Sequence, residues 1–222
     1  MSVVHDVRRA QMVRAFRWSA IFFTGFLLTT QQVLTNGPLL EIDKWIHDLN
    51  HPKFRGMSGF IVRRLDDLGL RSVTATALLI AAFYIARRFK TWRPLNLAIL
   101  SLLSLNLVVG LFKFWLGRTK PKIGIDLLHF GGMSYPSGHA SNALLTWGVL
   151  AYLIYRYAHV DRYRGRLASA GVAIISLTVC SVSLIRDTHW FSDLLGGLFI
   201  GGALLVLIIA IDRYYPSNSQ LS

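Results

Sequence analysis

"PLNLAILSLLSLNLVVGLF", residues 94–112, decides the fold: 19 residues without a charge, bounded by Arg93 and Lys113. A helix needs about 20 apolar residues to cross a bilayer's hydrocarbon core, so this stretch reads as a membrane span. Working outward, similar uncharged runs occur at 18–35, 72–86, 140–155, 167–185 and 194–211. The run at 72–86 has only 15 residues, but Arg71 and Arg87 flank it and can snorkel to the two interfaces. Apolar residues make up 53% of the 222 and charged ones 16%, below the quarter or so usual in soluble domains. The expectation is an all-α polytopic membrane protein, a six-transmembrane-helix bundle. Without a repeat or a dividing linker, residues 1–222 read as a single domain.

A net charge of +13 could suggest nucleic acid, yet the charge is one-sided. Residues 1–17, 86–93, 155–166 and the tail from 212 carry 13 Lys and Arg against 3 acids, whereas the alternate loops carry 11 against 8. The positive-inside rule places both termini and the loops after the second and fourth runs in the cytoplasm. That topology, with some attraction to anionic lipid, accounts for the charge and leaves no reason to expect a nucleic-acid partner. The N-terminal run lacks a small-x-small cleavage site and reads as a retained span. Cys180, the single cysteine, lies within the fifth run and allows no intramolecular disulfide.

The first outer loop, 36–70, has its own periodicity. Ile42, Trp45, Ile46 and Leu49 fall at helical spacing, as do Phe54, Met57, Ile61, Leu65 and Leu68. Two short amphipathic surface helices are expected, broken at Asn50 to Pro52 and either shaping a lateral lipid entrance or covering the bundle. In the last run, Gly196, Gly197, Gly201 and Gly202 form small-x-x-x-small pairs that let a neighbouring helix approach closely.

Three polar clusters meet span ends on one expected face. They are "KFWLGRTKP" (113–121), "YPSGHAS" (135–141) and "RDTHWFSD" (186–193). Lys113, Arg118, Lys120, Lys122 and Arg186 outnumber the nearby acids Asp126, Asp187 and Asp193, so a site formed by the clusters suits an anion. A phosphate ester fits, because phosphoryl transfer depends chiefly on holding oxygens and neutralising charge. Ser137 reads as a helix N-cap and Gly138 as room for an anion at the exposed N–H groups, with His139 in the first turn. His189 and Asp193, four residues apart, share a helix face, and the carboxylate can fix the imidazole. One histidine can attack phosphorus while the other protonates the departing alcohol. A plain surface His–Asp pair is the simpler account, and a zinc site is a third that the surrounding cations oppose.

These residues resemble the type 2 phosphatidic acid phosphatase superfamily of membrane lipid phosphatases, related to glucose-6-phosphatase and the vanadium haloperoxidases. Its pattern runs Lys-x6-Arg-Pro, Pro-Ser-Gly-His, then Ser-Arg-x5-His-x3-Asp. Here "PSGH" at 136–139 and His189-x3-Asp193 match, while Lys120 stands for the arginine before Pro121 and Val182-Ser183 replaces Ser-Arg. The resemblance implies a phosphohistidine at His189, Asp193 as its orienting acid and His139 as the proton donor to the leaving group. It implies Lys113, Lys120, Ser137 and Gly138 around the phosphoryl oxygens, with no metal and no cofactor. Lysine or serine cannot give the two-point grip of a guanidinium, so Arg186, with Arg118 nearby, is expected to supply the missing fork. The implied activity is hydrolysis of a lipid phosphate or pyrophosphate at the extracytoplasmic face. A phosphotransferase using the same intermediate and a non-catalytic anion-binding membrane protein are the alternatives.

Overall fold

The computed structural model describes residues 2–49, 51–158 and 161–215, and every regular element among them is a helix, with no strand. Six long helices hold the six uncharged runs: α1 Ser2–Leu34, α4 Arg71–Arg88, α5 Arg93–Leu116, α6 Gly138–Tyr157, α7 Arg162–Ile185 and α8 Phe191–Tyr214. Between the first two lie α2 Leu39–His47 and α3 Gly56–Asp67. By length and composition α5 (with the turn after it), α7 and α8 can each cross a membrane, and α3 with α4, bent by 54°, makes a fourth candidate. The remaining two are more polar: α1 starts among the charges of the N-terminus, and α6 opens on "GHASN". Asn50, part of the expected break between the loop helices, lies outside the described residues, as does the tail from 216.

Helix α8 is the centre of the bundle, packed against α1, α6, α5 and α2, while α6 carries α7 and α4 on its other sides. The α8 glycines permit this. A Cβ on Gly197 would stand 2.5 Å from the Ser137 carbonyl oxygen, and one on Gly201 would stand 3.1 Å from that of Ser141. The start of α6 therefore lies directly on α8, as the spacing of small residues implies. Phe26, Leu105, Val109, Leu145, Val149 and Ile200 belong to the apolar core between the helices.

The two short helices form where their periodicity predicts, with acids and not apolar residues on their buried side. Ile42, Trp45, Met57 and Ile61 are exposed, Trp45 by 65% and Met57 by 74%, whereas Asp43 and Asp66 are buried. An apolar stripe marks the core-facing side only when the alternative is water. Here the acids face inward because cations await them, and the apolar side chains remain for other apolar surroundings.

Candidate active site

Each cluster reaches the same end of the bundle through a local feature of the chain. Helix α5 ends at Gly117, whose φ of 53° is the left-handed conformation common after a helix C-terminus. The following loop returns on itself: Thr119 N–H donates to the Leu127 carbonyl (3.0 Å) and Ser134 N–H to that of Arg118 (3.1 Å). Gly132 makes this closure possible, since a Cβ there would lie 2.0 Å from the Arg118 oxygen. Lys113 Nζ reaches across to donate to the Met133 and Ser134 carbonyls, tying α5 to the strap that leads into α6.

Ser137 caps α6, its hydroxyl accepting the Ala140 N–H at 3.3 Å, and its own N–H donates to the Asp193 carbonyl at 2.9 Å. The Gly138 and His139 N–H groups meet no acceptor among the described residues, as expected in the first turn of a helix. The nearest atom to a Cβ built on Gly138 would be Lys113 Cε at 3.9 Å, so the approach to these donors is open. Lys120 is exposed, and its charge and that of Arg71 act on Lys113.

Asp193 is the third residue of α8 and fully buried. Its Oδ2 accepts the Trp190 N–H at 3.0 Å, the Ser134 hydroxyl, and His189 Nδ1 at a long 3.4 Å. One carboxylate thus closes the helix N-terminus and fixes the ring, and the helix dipole favours its charge. With Nδ1 so engaged, Nε2 is the nitrogen left to react. The His139 and His189 rings face each other with centroids 6.1 Å apart.

Behind Asp193 stands Arg118, with no exposed surface, and all five of its N–H donors are taken. Nε donates to Asp126 Oδ1 (2.8 Å), Nη1 to Ser192 Oγ (2.7 Å) and Asp193 Oδ1 (2.8 Å), Nη2 to Asp43 Oδ2 (2.8 Å) and Asp126 Oδ2 (2.6 Å). No donor remains for a ligand, so Arg118 does not take the phosphate-gripping place expected of it. The reason is its register: two residues before Lys120, it points into the loop's interior rather than towards the histidines. Asp43 also accepts the Ser192 N–H at 2.8 Å, and burial pushes its carboxyl above the usual range, with Arg118 opposing.

Arg186 is bonded through one guanidinium nitrogen among the described residues. It ends α7 and pairs through Nη1 with Asp66, whose other oxygen accepts the Ser183 hydroxyl at 3.3 Å. Ser183, in the position of the missing family arginine, is therefore bonded to an acid and not left as a void. The turn between α7 and α8 is held from α2, where His47 Nδ1 lies 2.9 Å from Asp187 Oδ1 and the His47 ring meets Trp190 edge-on. The structure thus gathers Lys113, Ser137, Gly138, His139, His189 and Asp193 as the motifs imply, with Lys120 at the rim. Asp43, Asp66, Ser134 and Ser192 join them without any motif to announce it. Only their polarity at the border of apolar segments set them apart.

A chain that brings a buried His–Asp pair, a second histidine and an open helix N-terminus together on an all-helical bundle has the parts of one known class. The sequence model of the PAP2 superfamily matches residues 94–216, and the protein belongs to that superfamily. It is similar to phosphatidylglycerophosphatase B of Bacillus subtilis strain 168, 23% identical over 195 residues that cover 88% of this chain and 89% of the relative. Its fold is that of a solved structure described as the first transmembrane PAP2 type phosphatidylglycerolphosphate phosphatase from Bacillus subtilis. That match has a TM-score of 0.78 at 22% identity, over 88% of this chain and 96% of the other.

Proposed function

We propose that the protein is a membrane phosphohydrolase that removes phosphate from a lipid phosphate or lipid pyrophosphate through a phosphohistidine at His189. The observation that carries this reading is the opposition of the two histidine rings at 6.1 Å, with Asp193 on the Nδ1 side of His189. Nε2 attacks phosphorus, the bond from phosphorus to the leaving oxygen breaks, and His139 supplies that oxygen's proton. Water then attacks the phosphohistidine, His139 takes a proton from it, and inorganic phosphate leaves. Lys113, Lys120 and the Gly138 and His139 N–H groups neutralise the phosphoryl oxygens. Ser137 holds the helix start that presents them, and Arg118 and Arg186 hold Asp193 and Asp66. The similarity to phosphatidylglycerophosphatase B makes phosphatidylglycerophosphate the first substrate to test. The one-sided charge supports six membrane crossings, cytoplasmic termini and a site open to the extracytoplasmic face.

Phosphate release from phosphatidylglycerophosphate in mixed micelles should persist with a chelator present; complete loss, restored by one divalent metal, would refute the assignment of charge neutralisation. The histidines should fail differently. With an activated aryl phosphate, rapid-quench measurement should find no phosphoenzyme in His189→Ala. It should find a partly preserved first step in His139→Ala, because general acid assistance of about 10²- to 10⁴-fold matters less for a good leaving group. Equal loss in both would overturn the division of roles.

A further inference from the structure

A cleft of about 520 Å³ opens at the end of the bundle opposite the histidines. It exists because α7 and α8 each pack on α6 but not closely on each other, which leaves a channel floored by α6. Its depth is apolar, passing Gly148 and Leu205, and its mouth carries Arg162, Arg166 and Arg213. These arginines make no ion pair among the described residues. Their neighbouring acids are engaged elsewhere: Asp212, beside Arg213, is bound by Arg93 (2.6 Å), Arg156 (2.7 Å) and the Tyr152 hydroxyl (2.6 Å), and Asp161, beside Arg162, accepts the Arg164 N–H at 2.8 Å and lies 3.9 Å from Arg164 Nε. The 20 residues of α6 rise about 30 Å, so this mouth lies on the other side of the molecule from His139.

We propose that this cleft is a binding site for an intact anionic phospholipid of the leaflet opposite the active site. One acyl chain would lie along the channel between α7 and α8, with the phosphate on Arg162 and Arg166. Charge complementarity selects the occupant. Three guanidinium groups without a carboxylate partner, Arg213 also lying over the Tyr152 ring at 5.3 Å, stand over an apolar channel and match a diacyl lipid whose headgroup is net negative; basic pockets between membrane helices bind anionic headgroups in this way. The volume falls in the range of about 300–1,000 Å³ usual for ligand sites. Tyr155, also lining the cleft and 40% exposed, is suited to the headgroup level. The site is independent of the proposed reaction and would persist in an inactive enzyme.

The test is native mass spectrometry of the full-length protein titrated with phosphatidylglycerol or phosphatidylcholine of the same chains. Phosphatidylglycerol should bind more tightly, and Arg162→Ala/Arg166→Ala should weaken it roughly thirtyfold while leaving phosphatidylcholine unchanged. Arg213 is a poorer choice, because it also lines a second cleft between α1 and α8. Ser169→Trp, an exposed position in the cleft wall, should block the channel and lower phosphatidylglycerol binding with every arginine retained. Equal affinity of the wild type for the two lipids, or undiminished phosphatidylglycerol binding in both variants, would overturn the proposal. So would full displacement of the lipid by millimolar inorganic phosphate, which would mark a site for the free anion.

Discussion

The two ends of the bundle each carry an arginine–aspartate knot, built in opposite proportion. Near the histidines one arginine, Arg118, serves three carboxylates, Asp43, Asp126 and Asp193. At the far end one carboxylate, Asp212, serves two arginines, Arg93 and Arg156. The first knot is fully enclosed around Arg118, whereas the Arg93 and Arg156 side chains keep 20% and 19% of their surface. Enclosure makes the first unforgiving: its members cannot turn to solvent if a partner is lost, and one of them orients His189. The second can relax into water or headgroups.

The largest effect should come from Arg118→Met, which leaves Asp43 and Asp193 enclosed, and Asp126 partly so, without their cation. Removing one partner of a buried pair typically costs about 3–5 kcal/mol, so the thermal midpoint in detergent should fall steeply or the folded protein fail to accumulate. Adding Asp43→Asn should return part of the loss; no recovery would show that the knot is not electrostatic. At the other end Asp212→Asn should cost about 1–2 kcal/mol in the same measurement and leave phosphate release unchanged, since Arg93 and Arg156 can rehydrate. A larger loss than that of Arg118→Met would reverse the comparison.

A smaller change tests how finely the first knot holds the His189 ring. Ser134→Ala removes one donor from Asp193 Oδ2 and should lower the rate of phosphoenzyme formation about tenfold, as expected for a hydrogen bond to a charged group, with little change in thermal midpoint. Loss of stability without loss of rate would make Ser134 a packing residue only. The smallest effect concerns pH. Burial raises Asp43, so the folded protein binds its proton more tightly than the unfolded chain does. The resulting stability is present at low pH and declines as pH rises from the unfolded carboxyl value through the folded one. Asp43→Asn should flatten that decline in thermal midpoint; a steeper slope in the variant would contradict the direction of the shift.

The sequence made the apolar helices and the three motifs legible because each is written in consecutive residues: uncharged runs, a helix cap, an i, i+4 pair. They meet where the topology brings alternate loops together, and the structure places Lys113, His139 and His189 accordingly. The inward turn of α2 and α3 was not legible. Their periodicity marks two amphipathic helices without saying what the polar faces meet, and the acids on those faces find partners 75 residues or more away, in Arg118 and Ser192 for Asp43 and in Arg186 for Asp66. Arg118 shows a different limit. Composition marks it as one more cation near the site, and only the fold of residues 117–134 reveals that every donor faces carboxylates or Ser192.

The acids around Arg118 come from both sides of residue 94, and this bears on how portable the segment matched to the family is. The stretch 94–216 contains His139, His189, Asp193 and every residue proposed to hold the phosphoryl group, yet not Asp43. Grafted onto a foreign N-terminal half, it would arrive with Arg118 short of one acceptor and with the Ser192 N–H and hydroxyl both lacking their carboxylate. A working chimera therefore needs a donor half that places an acid where α2 places Asp43. Inheritance of the chemistry is tied to a helix that carries none of it.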